Sequence, residues 1–401
     1  MKNKYNLTVK ACYTGYVTQA IVNNIAPLLF VTFGSTYDIS LEKITTLATF
    51  NFLVQLITDV LSAKFIHKIG YKAGVIIAHI TATIGLAGLG FFPDIFEKIC
   101  GDGYIGLLVA IFFYAIGGGL IEVLVSPLIN GCELEKKGMA MNLLHSFYCW
   151  GQVAVILLST VFFAVAGIEN WRVLVCLWAI VPFVNTIVFI MAPIPVIPGD
   201  ENPVPIRKLF SKKVFWILIV LMLCAGASEH AMSQWSSTFA EKGLNVPKAF
   251  GDLLGPCMFA VLMGVARIVT AMFEEKIKTE TMMMASAVLC FVSYIVAALV
   301  PIPIISLLGC AMCGFSVGIF WPGTFNIAER RYPLGGTKLF ALLALSGDLG
   351  CGSGPTLVGM VTGAFGENFK IGLLAASMIP VVMIVFLLLG NSKFFQDEKS
   401  V

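Results

Sequence analysis

The chain has 401 residues, of which 58% are hydrophobic and only 12% are charged. Soluble domains are about 45–50% apolar and about 25% charged, so a soluble fold of this length could not bury so much apolar surface. The net charge of +3 is too small for nucleic-acid binding through a basic surface. The composition therefore predicts a polytopic membrane protein embedded in a lipid bilayer.

Twelve apolar segments follow one another along the chain, each long enough for a membrane-spanning helix. A linker rich in proline and charge, residues 193–213, divides them into two halves of six. The sequence therefore predicts an all-α membrane protein with an N-terminal six-helix bundle at 1–192 and a C-terminal six-helix bundle at 214–401. The segments are 8–33, 42–66, 72–92, 104–128, 139–166, 171–192, 214–240, 249–273, 279–300, 303–327, 337–363 and 371–390.

Lysine and arginine concentrate on one side of this arrangement. If the N-terminus is cytoplasmic, 19 of the 26 basic residues fall in cytoplasmic loops and tails, and 6 fall on the opposite side. Basic loops are retained in the cytoplasm. We therefore expect a multi-pass protein of the cytoplasmic (inner) membrane with both termini and the linker in the cytoplasm.

The two halves are similar to each other, which predicts pseudo-symmetry. Residues 15–20 open the first segment and match residues 226–231 of the seventh, 211 positions later. The fourth and tenth segments share a glycine-rich start and a late proline, Pro127 and Pro322. Parallel six-helix repeats are a transporter architecture in which substrate binds near the middle of the membrane.

Two acidic residues near the middle of segments are the candidates for proton coupling. Glu122 lies in the stretch GGGLIEVLVSP of the fourth segment, and Tyr114, Gly118 and Ser126 share its helical face. Intramembrane carboxyls usually face the bundle interior, where they can exchange a proton or contact a substrate. Glu229 of the seventh segment is the second candidate. A protonated carboxyl that only joins neighbouring helices is the alternative interpretation.

The other substrate-binding candidates are amide, imidazole and aromatic side chains within four segments. Amides both donate and accept, which suits a neutral polyhydroxyl solute, and aromatic rings can stack on a sugar. Interhelical hydrogen bonds or core packing would use the same residue types, so that alternative stays open. The candidates are Gln19, Asn23, Asn142, His145, Tyr148, His230, Gln234, Trp235 and Trp321, together with Glu122.

A polar stripe on the second segment is interpreted as structural. Asn51, Gln55 and Asp59 follow one another at intervals of four, and the stripe runs toward the basic loop at 64–72. We expect a cytoplasmic charge cluster here that latches the two halves in one state. Its gating residues would be Asp59, Lys68, Gly70 and Lys72.

Cofactor, metal and catalytic sites are not expected. Cys310 and Cys313 form a C-x-x-C match, but they lie in an apolar helix without nearby polar ligands and are interpreted as packing residues. The sequence contains no H-E-x-x-H, and its one G-x-S-x-G match, residues 314–318, lies inside an apolar segment rather than at a turn between a strand and a helix, which disfavours an intramembrane enzyme. A channel would more typically contain a short repeated pore unit.

Twelve segments, a central linker and similar halves resemble the major facilitator superfamily. The loop after the second segment resembles that family's Gly-x-x-x-Asp-Arg-x-Gly-Arg-Arg signature in degraded form. Ala63, His67, Lys68, Gly70 and Lys72 stand at the signature positions. The resemblance implies a twelve-helix transporter, in which Asp59 would replace the missing aspartate of the charge latch.

The fourth and fifth segments resemble the fucose permease-like sugar:proton symporters. That group has a glycine-rich stretch with a central glutamate and a late proline, matched at Glu122, and a Leu-Asn-Leu-x-x-x-Phe-x-x-x-Gly pattern, matched by residues 141–151. The resemblance implies that Glu122 contacts sugar or proton, and that His145 and Tyr148 face substrate. Proton-linked members also have a carboxylate in the first helix. This chain has amides there, so coupling would depend on Glu122 together with Glu229.

We therefore expect a monomeric secondary transporter that moves a small neutral polar solute by alternating access, with a sugar as the favoured substrate and protons or sodium as the coupling ion. The alternative is a drug or metabolite:proton antiporter. Exporters of the major facilitator superfamily often carry a glycine–proline signature in the fifth helix. The fifth segment of this chain lacks that signature.

Overall fold

The chain is an all-helical membrane protein built of two units. The computed structural model describes residues 4–134, 137–195, 197, 209–273, 276–332 and 336–391, and these residues contain no β-strand. Eleven stretches among them are long and apolar enough to cross a membrane. The chain divides into two compact units, Met1–Pro198 and Gly199–Val401, and the boundary falls within the predicted linker, much of which lies outside the described residues.

The first unit contains seven helices in the part of the chain that the structure describes. The first two continue through a short 3-10 turn and form one membrane span. The helices are α1 (Asn6–Asn24), α2 (Phe30–Tyr37), α3 (Leu41–Ile69), α4 (Tyr71–Cys100), α5 (Gly103–Gly131), α6 (Lys137–Ala166) and α7 (Trp171–Met191).

The second unit has nine described helices, and π-helical turns at Phe239–Gly243 and Leu253–Cys257 interrupt it. The eleventh predicted segment corresponds to α14, which is not among the eleven stretches apolar enough to cross a membrane. Its seven glycines and Asp348 make it less apolar than those stretches. The helices are α8 (Lys213–Thr238), α9 (Lys248–Asp252), α10 (Met258–Phe273), α11 (Thr279–Leu299), α12 (Pro303–Val317), α13 (Phe320–Arg331), α14 (Gly336–Ala364), α15 (Phe369–Ala376) and α16 (Met378–Asn391).

Helix boundaries follow local chemistry. The Asp102 carboxylate caps α5 by accepting a hydrogen bond from the backbone N–H of Tyr104 at 2.9 Å. Gly70 separates α3 from α4 with φ of +86°, a left-handed conformation that favours glycine. A Cβ on Gly70 would meet no atom within 4 Å, so backbone conformation rather than crowding explains the glycine.

A run of three glycines lets α5 approach three neighbouring helices in the first unit. A Cβ on Gly117 would lie 2.6 Å from the carbonyl oxygen of Ala78 in α4. A Cβ on Gly119 would lie 2.8 Å from Oδ1 of Asp59 in α3, and Gly118 faces α1. The glycine-rich start of the predicted fourth segment therefore brings α1, α3 and α4 close to α5, one turn before Glu122.

The second unit uses glycines in the same way where α8 packs against α14. A Cβ on Gly350 or on Gly354 would collide with the α8 backbone, at Leu223 and Ala227 respectively. Gly226 of α8 faces the α14 backbone in return. Small residues on both helices thus permit backbone-to-backbone packing.

Candidate functional site

The centre of the first unit holds the carboxyl group of Glu122 against an amide. The Gln19 side chain on α1 donates from Nε2 to Oε2 of Glu122 on α5 at 3.1 Å. Gln19 is only 4% exposed, whereas Glu122 is half-buried. The structure therefore brings together Glu122 and Gln19, two of the residues that the sequence singled out.

Further amides extend this contact into a network between α1 and α3. Nε2 of Gln19 also donates to Oε1 of Gln55 at 3.0 Å. Nε2 of Gln55 in turn donates to Oδ1 of Asn23 at 2.9 Å and to Oδ1 of Asn51 at 3.0 Å. All four amide residues are buried. The network joins Gln19 and Asn23 to two residues of the second segment that were interpreted as structural.

Asp59 lies beside the same network, and its predicted gating role stays a prediction. It is buried on α3, and one of its carboxylate oxygens lies within 4.8 Å of one of Glu122. Lys68 lies nine positions after Asp59 on the same helix, a rise of about 13 Å. Gly119, which has no side chain, leaves the space that the Asp59 carboxylate occupies beside α5.

The other predicted gating residues lie at the end of α3 and the start of α4. The Lys68 ammonium lies 5.9 Å from the ring centroid of Phe65. The Lys72 ammonium donates to the carbonyl oxygen of Ala192 at 3.5 Å, beyond the end of α7. Gly70 makes the turn between the two helices. Their gating role stays a prediction.

The fifth-segment candidates lie along α6, next to α1. The His145 ring meets the Tyr16 ring edge-on, with centroids 5.4 Å apart, and His145 is exposed. The Tyr16 hydroxyl is 3.1 Å from the Ser126 hydroxyl of α5, one turn after Glu122. Tyr148 is half-buried and packs against the core of the unit. The Asn142 side chain lies outside the described residues.

The seventh-segment candidates lie in the second unit, in the C-terminal half of α8. Glu229, His230 and Gln234 are all buried there. Trp235 is fully buried, donates from Nε1 to the carbonyl oxygen of Pro355 at 2.9 Å, and contacts the ring of Phe369. In this conformation Trp235 is therefore a packing residue, with both its ring and its donor engaged by the protein.

Trp321 is half-buried on α13 in the second unit. Its ring covers Gly347 of α14 so closely that a Cβ on Gly347 would collide with the indole. Its centroid lies 6.3 Å from that of Phe325. The six-membered ring of Trp321 thus lies against α14, and its predicted contact with substrate stays a prediction.

A buried carboxylate that sequence reasoning missed, Asp252, forms an ion pair within α9 and links α9 to α8. The Lys248 ammonium lies 3.1 Å from Oδ2 of Asp252, which is almost completely buried. The hydroxyl of Ser237 at the end of α8 donates to Oδ1 of Asp252. The spacing of four between Lys248 and Asp252 was the available signal.

The network of the first unit can therefore bind neutral hydroxyl groups and hold a proton. Neutral amides offer donors and acceptors side by side. Glu122 and Asp59 repel each other when both are charged, so a proton or a cation between them relieves the repulsion. This pairing of amides with carboxyls suits a polar solute and a coupling ion better than an apolar drug.

Comparisons with solved structures place the fold among membrane transporters. The D-xylose–proton symporter matches with a TM-score of 0.80 at 13% identity over 98% of this chain and 99% of that one. A bacterial homologue of the human lysosomal transporter Spinster matches with a TM-score of 0.79 at 14% identity over 100% and 99%. The E. coli fucose:proton symporter FucP matches with a TM-score of 0.66 at 15% identity over 97% and 100%.

The family of the chain follows from its match to a protein-family model. No curated protein sequence matches the chain. The model of the Major Facilitator Superfamily matches residues 12–355, which is most of the chain, and the similar solved structures are transporters rather than enzymes. With twelve predicted segments, two helical units and this match, the protein belongs to the major facilitator superfamily of membrane transporters.

Proposed function

We propose that the protein imports a small neutral polyhydroxyl solute, a hexose or a related sugar, by proton-coupled symport. Glu122 binds the coupled proton, and the amides of Gln19 and Asn23 contact the sugar hydroxyls. The observation that carries this proposal is the hydrogen bond from Gln19 to Glu122. It joins an amide suited to a sugar directly to a carboxyl suited to a proton.

Asp59 supports the proposal by supplying a second carboxylate. The proton-linked symporters that the sequence resembles have a carboxylate on the first helix, where this chain has Gln19 and Asn23. A carboxylate oxygen of Asp59 on α3 lies within 4.8 Å of one of Glu122, so a second carboxyl is available from a different helix. One proton shared by two such carboxyls removes one of two repelling charges. Glu229, buried in the second unit, is the further proton-coupling candidate.

The proposal is tested by uptake of a panel of labelled sugars and polyols into proteoliposomes. An inward proton gradient should accelerate uptake of at least one of these solutes, and replacing sodium by potassium should leave uptake unchanged. Glu122→Gln should abolish accumulation against a gradient. Asp94→Asn is the control, because Asp94 pairs with Arg172 on a partly exposed surface.

Two results would contradict the proposal. The first is the absence of uptake for every solute of the panel. The second is accumulation by Glu122→Gln at the wild-type level. Extrusion of a hydrophobic cation in exchange for protons would instead favour the antiporter alternative. Uptake that requires sodium would reassign the coupling ion.

We also propose an inner-membrane location with both termini in the cytoplasm and a monomer as the working unit. The concentration of 19 of the 26 basic residues on one side supports this orientation. A reporter that is active only in the cytoplasm should therefore be active when it is fused to either end of the chain. Light scattering of the detergent-purified protein should give the mass of one chain, 43.3 kDa, after correction for detergent.

A further inference from the structure

We propose that the chain directly after α7 is a strap that seals one end of the first unit against water. The strap consists of residues 192–195 and 197, most of which the sequence assigned to the linker. It belongs to the compact first unit, which extends to Pro198. Its sealing role goes beyond the proposed function, because it does not depend on which solute the protein moves.

Prolines explain why this segment leaves α7 and runs across the unit. Pro193 and Pro195 have no backbone N–H and a fixed φ, so α7 cannot continue far past Met191. The residue before each proline is driven to an extended conformation, and Ala192 has φ of −71° and ψ of 135°. A proline-rich chain advances about 3.1 Å per residue, so the steps from 192 to 197 can reach about 16 Å. Packed helices lie about 8–10 Å apart, so the strap can pass over more than one of them.

Two polar contacts fasten the strap to α1 and α4. The Thr8 hydroxyl of α1 donates to the carbonyl oxygen of Pro193, and Thr8 is completely buried. The Lys72 ammonium at the start of α4 donates to the carbonyl oxygen of Ala192 at 3.5 Å. Both contacts supply a donor to carbonyl groups that lie beyond the last turn of a helix.

Apolar contacts fasten the strap to α5 and to the core of the unit. A Cβ on Gly131 would lie 3.2 Å from Cγ of Pro195 and 3.4 Å from Cγ1 of Ile197, so the glycine at the end of α5 leaves room for the strap. Pro195 is buried, and Ile194 and Ile197 pack against the core cluster of the first unit. Removal of this apolar surface from water stabilises the closed position of the strap.

Two buried thiols lie next to these contacts. Cys12 follows Thr8 by one turn of α1 and belongs to the core cluster against which the strap isoleucines pack. Cys132 directly follows Gly131, which contacts the strap. Both thiols are completely shielded from solvent. Their reactivity therefore reports whether the strap is closed, and no introduced cysteine is needed.

The strap closes one end of the seam between α1 and α5 that leads to Glu122. Deeper along the same two helices, the Tyr16 hydroxyl is 3.1 Å from the Ser126 hydroxyl, and Gln19 contacts Glu122 one turn further. In the orientation proposed above, this end of the unit faces the cytoplasm. A closed strap therefore keeps cytoplasmic water out of the seam, where polar contacts are stronger without competing water.

Thiol labelling of the full-length protein in detergent tests the strap. A water-soluble maleimide is added, and mass spectrometry of peptides gives the labelling rate of each cysteine. In the wild type, exposed Cys100 should react quickly, whereas Cys12 and Cys132 should be protected. Ile194→Ser combined with Ile197→Ser should make Cys12 and Cys132 react about tenfold faster, because local opening becomes easier when apolar contacts are lost.

Buried thiols of the second unit report whether the double variant has simply unfolded. Cys290 and Cys313 should stay protected in it. Wild-type labelling rates at Cys12 and Cys132 in a folded double variant would overturn the strap. A wild type in which these two thiols react as fast as Cys100 would overturn it as well.

Thr8→Val gives a milder second test with a matched control. It removes the hydroxyl that holds Pro193 but keeps the shape of the side chain, and should also speed the labelling of Cys12. Thr18→Val is the control, because Thr18 is equally buried on α1 but donates to the carbonyl oxygen of Thr14 in its own helix. This pair decides the test if the double variant does not fold. Faster labelling of Cys12 in Thr8→Val alone supports the strap, and equal labelling in both variants refutes it.

Discussion

Gly117 determines how closely α4 and α5 pack before Glu122. A Cβ at this position would lie 2.6 Å from the carbonyl oxygen of Ala78 and 2.8 Å from Cβ of Ala82, both on α4. The helix backbone cannot rotate away as a side chain can, so α4 would have to retreat by about 0.8 Å to restore a 3.4 Å contact. Overpacking of this kind costs about 1–3 kcal/mol.

We expect Gly117→Ala to lower the apparent unfolding temperature by roughly 2–12 °C, if each kcal/mol shifts a unit of this size by about 2–4 °C. That range is the effect of overpacking alone, and the higher helix propensity of alanine offsets about 0.5–1 kcal/mol of it. A thiol-reactive dye reports unfolding, because nine of the eleven cysteines are buried. Transport should fall as well, since Glu122 follows on the same helix.

Gly390→Ala provides the matched control. Gly390 lies in α16, and its Cβ would meet Ile217 at 3.7 Å, an ordinary van der Waals distance. This variant should unfold at the wild-type temperature or slightly above it. If Gly117→Ala were as stable as Gly390→Ala, α4 and α5 would not be in the close contact on which the geometry of the site depends.

Three further substitutions test contacts at and beyond the site. Asn185→Leu removes the amide nitrogen that lies 2.8 Å from Nε2 of His79, and should cost about 1–3 kcal/mol in the same unfolding assay. Trp235→Phe should cost about 1 kcal/mol through the lost Nε1–H bond and leave sugar affinity unchanged, whereas a tenfold weaker affinity would contradict its packing role. Lys248→Met leaves Asp252 buried without its cation and should cost about 3–5 kcal/mol, and unchanged thermal stability would refute this.

The sequence predicted the helical architecture because long apolar segments need no tertiary information to be recognised. It also singled out Gln19, Asn23 and Glu122, which the structure brings together, because intramembrane polar residues are costly and therefore conspicuous. Helical periodicity placed Asn51, Gln55 and Asp59 on one face of α3. The sequence could not reveal which helix that face meets, since the contact depends on Gly119 and the packing of α3 against α5.

Trp235 illustrates a second limit of sequence reasoning. A tryptophan among polar residues suits both a sugar platform and a helix contact, and its neighbours in sequence do not distinguish the two. The deciding partners, Pro355 and Phe369, lie more than 100 residues away along the chain. The contact between Asp252 and Ser237 was likewise not predictable, because it depends on how α9 packs against the preceding helix.

Proton movement driven by sugar tests the role of Glu122 most directly. Proteoliposomes with a pH-sensitive dye inside receive the transported sugar without an imposed proton gradient. We predict that the lumen of wild-type vesicles becomes acidic, and that Glu122→Gln exchanges labelled sugar across the membrane without any change of pH. Equal acidification by wild type and Glu122→Gln would contradict the assignment of the coupled proton to Glu122.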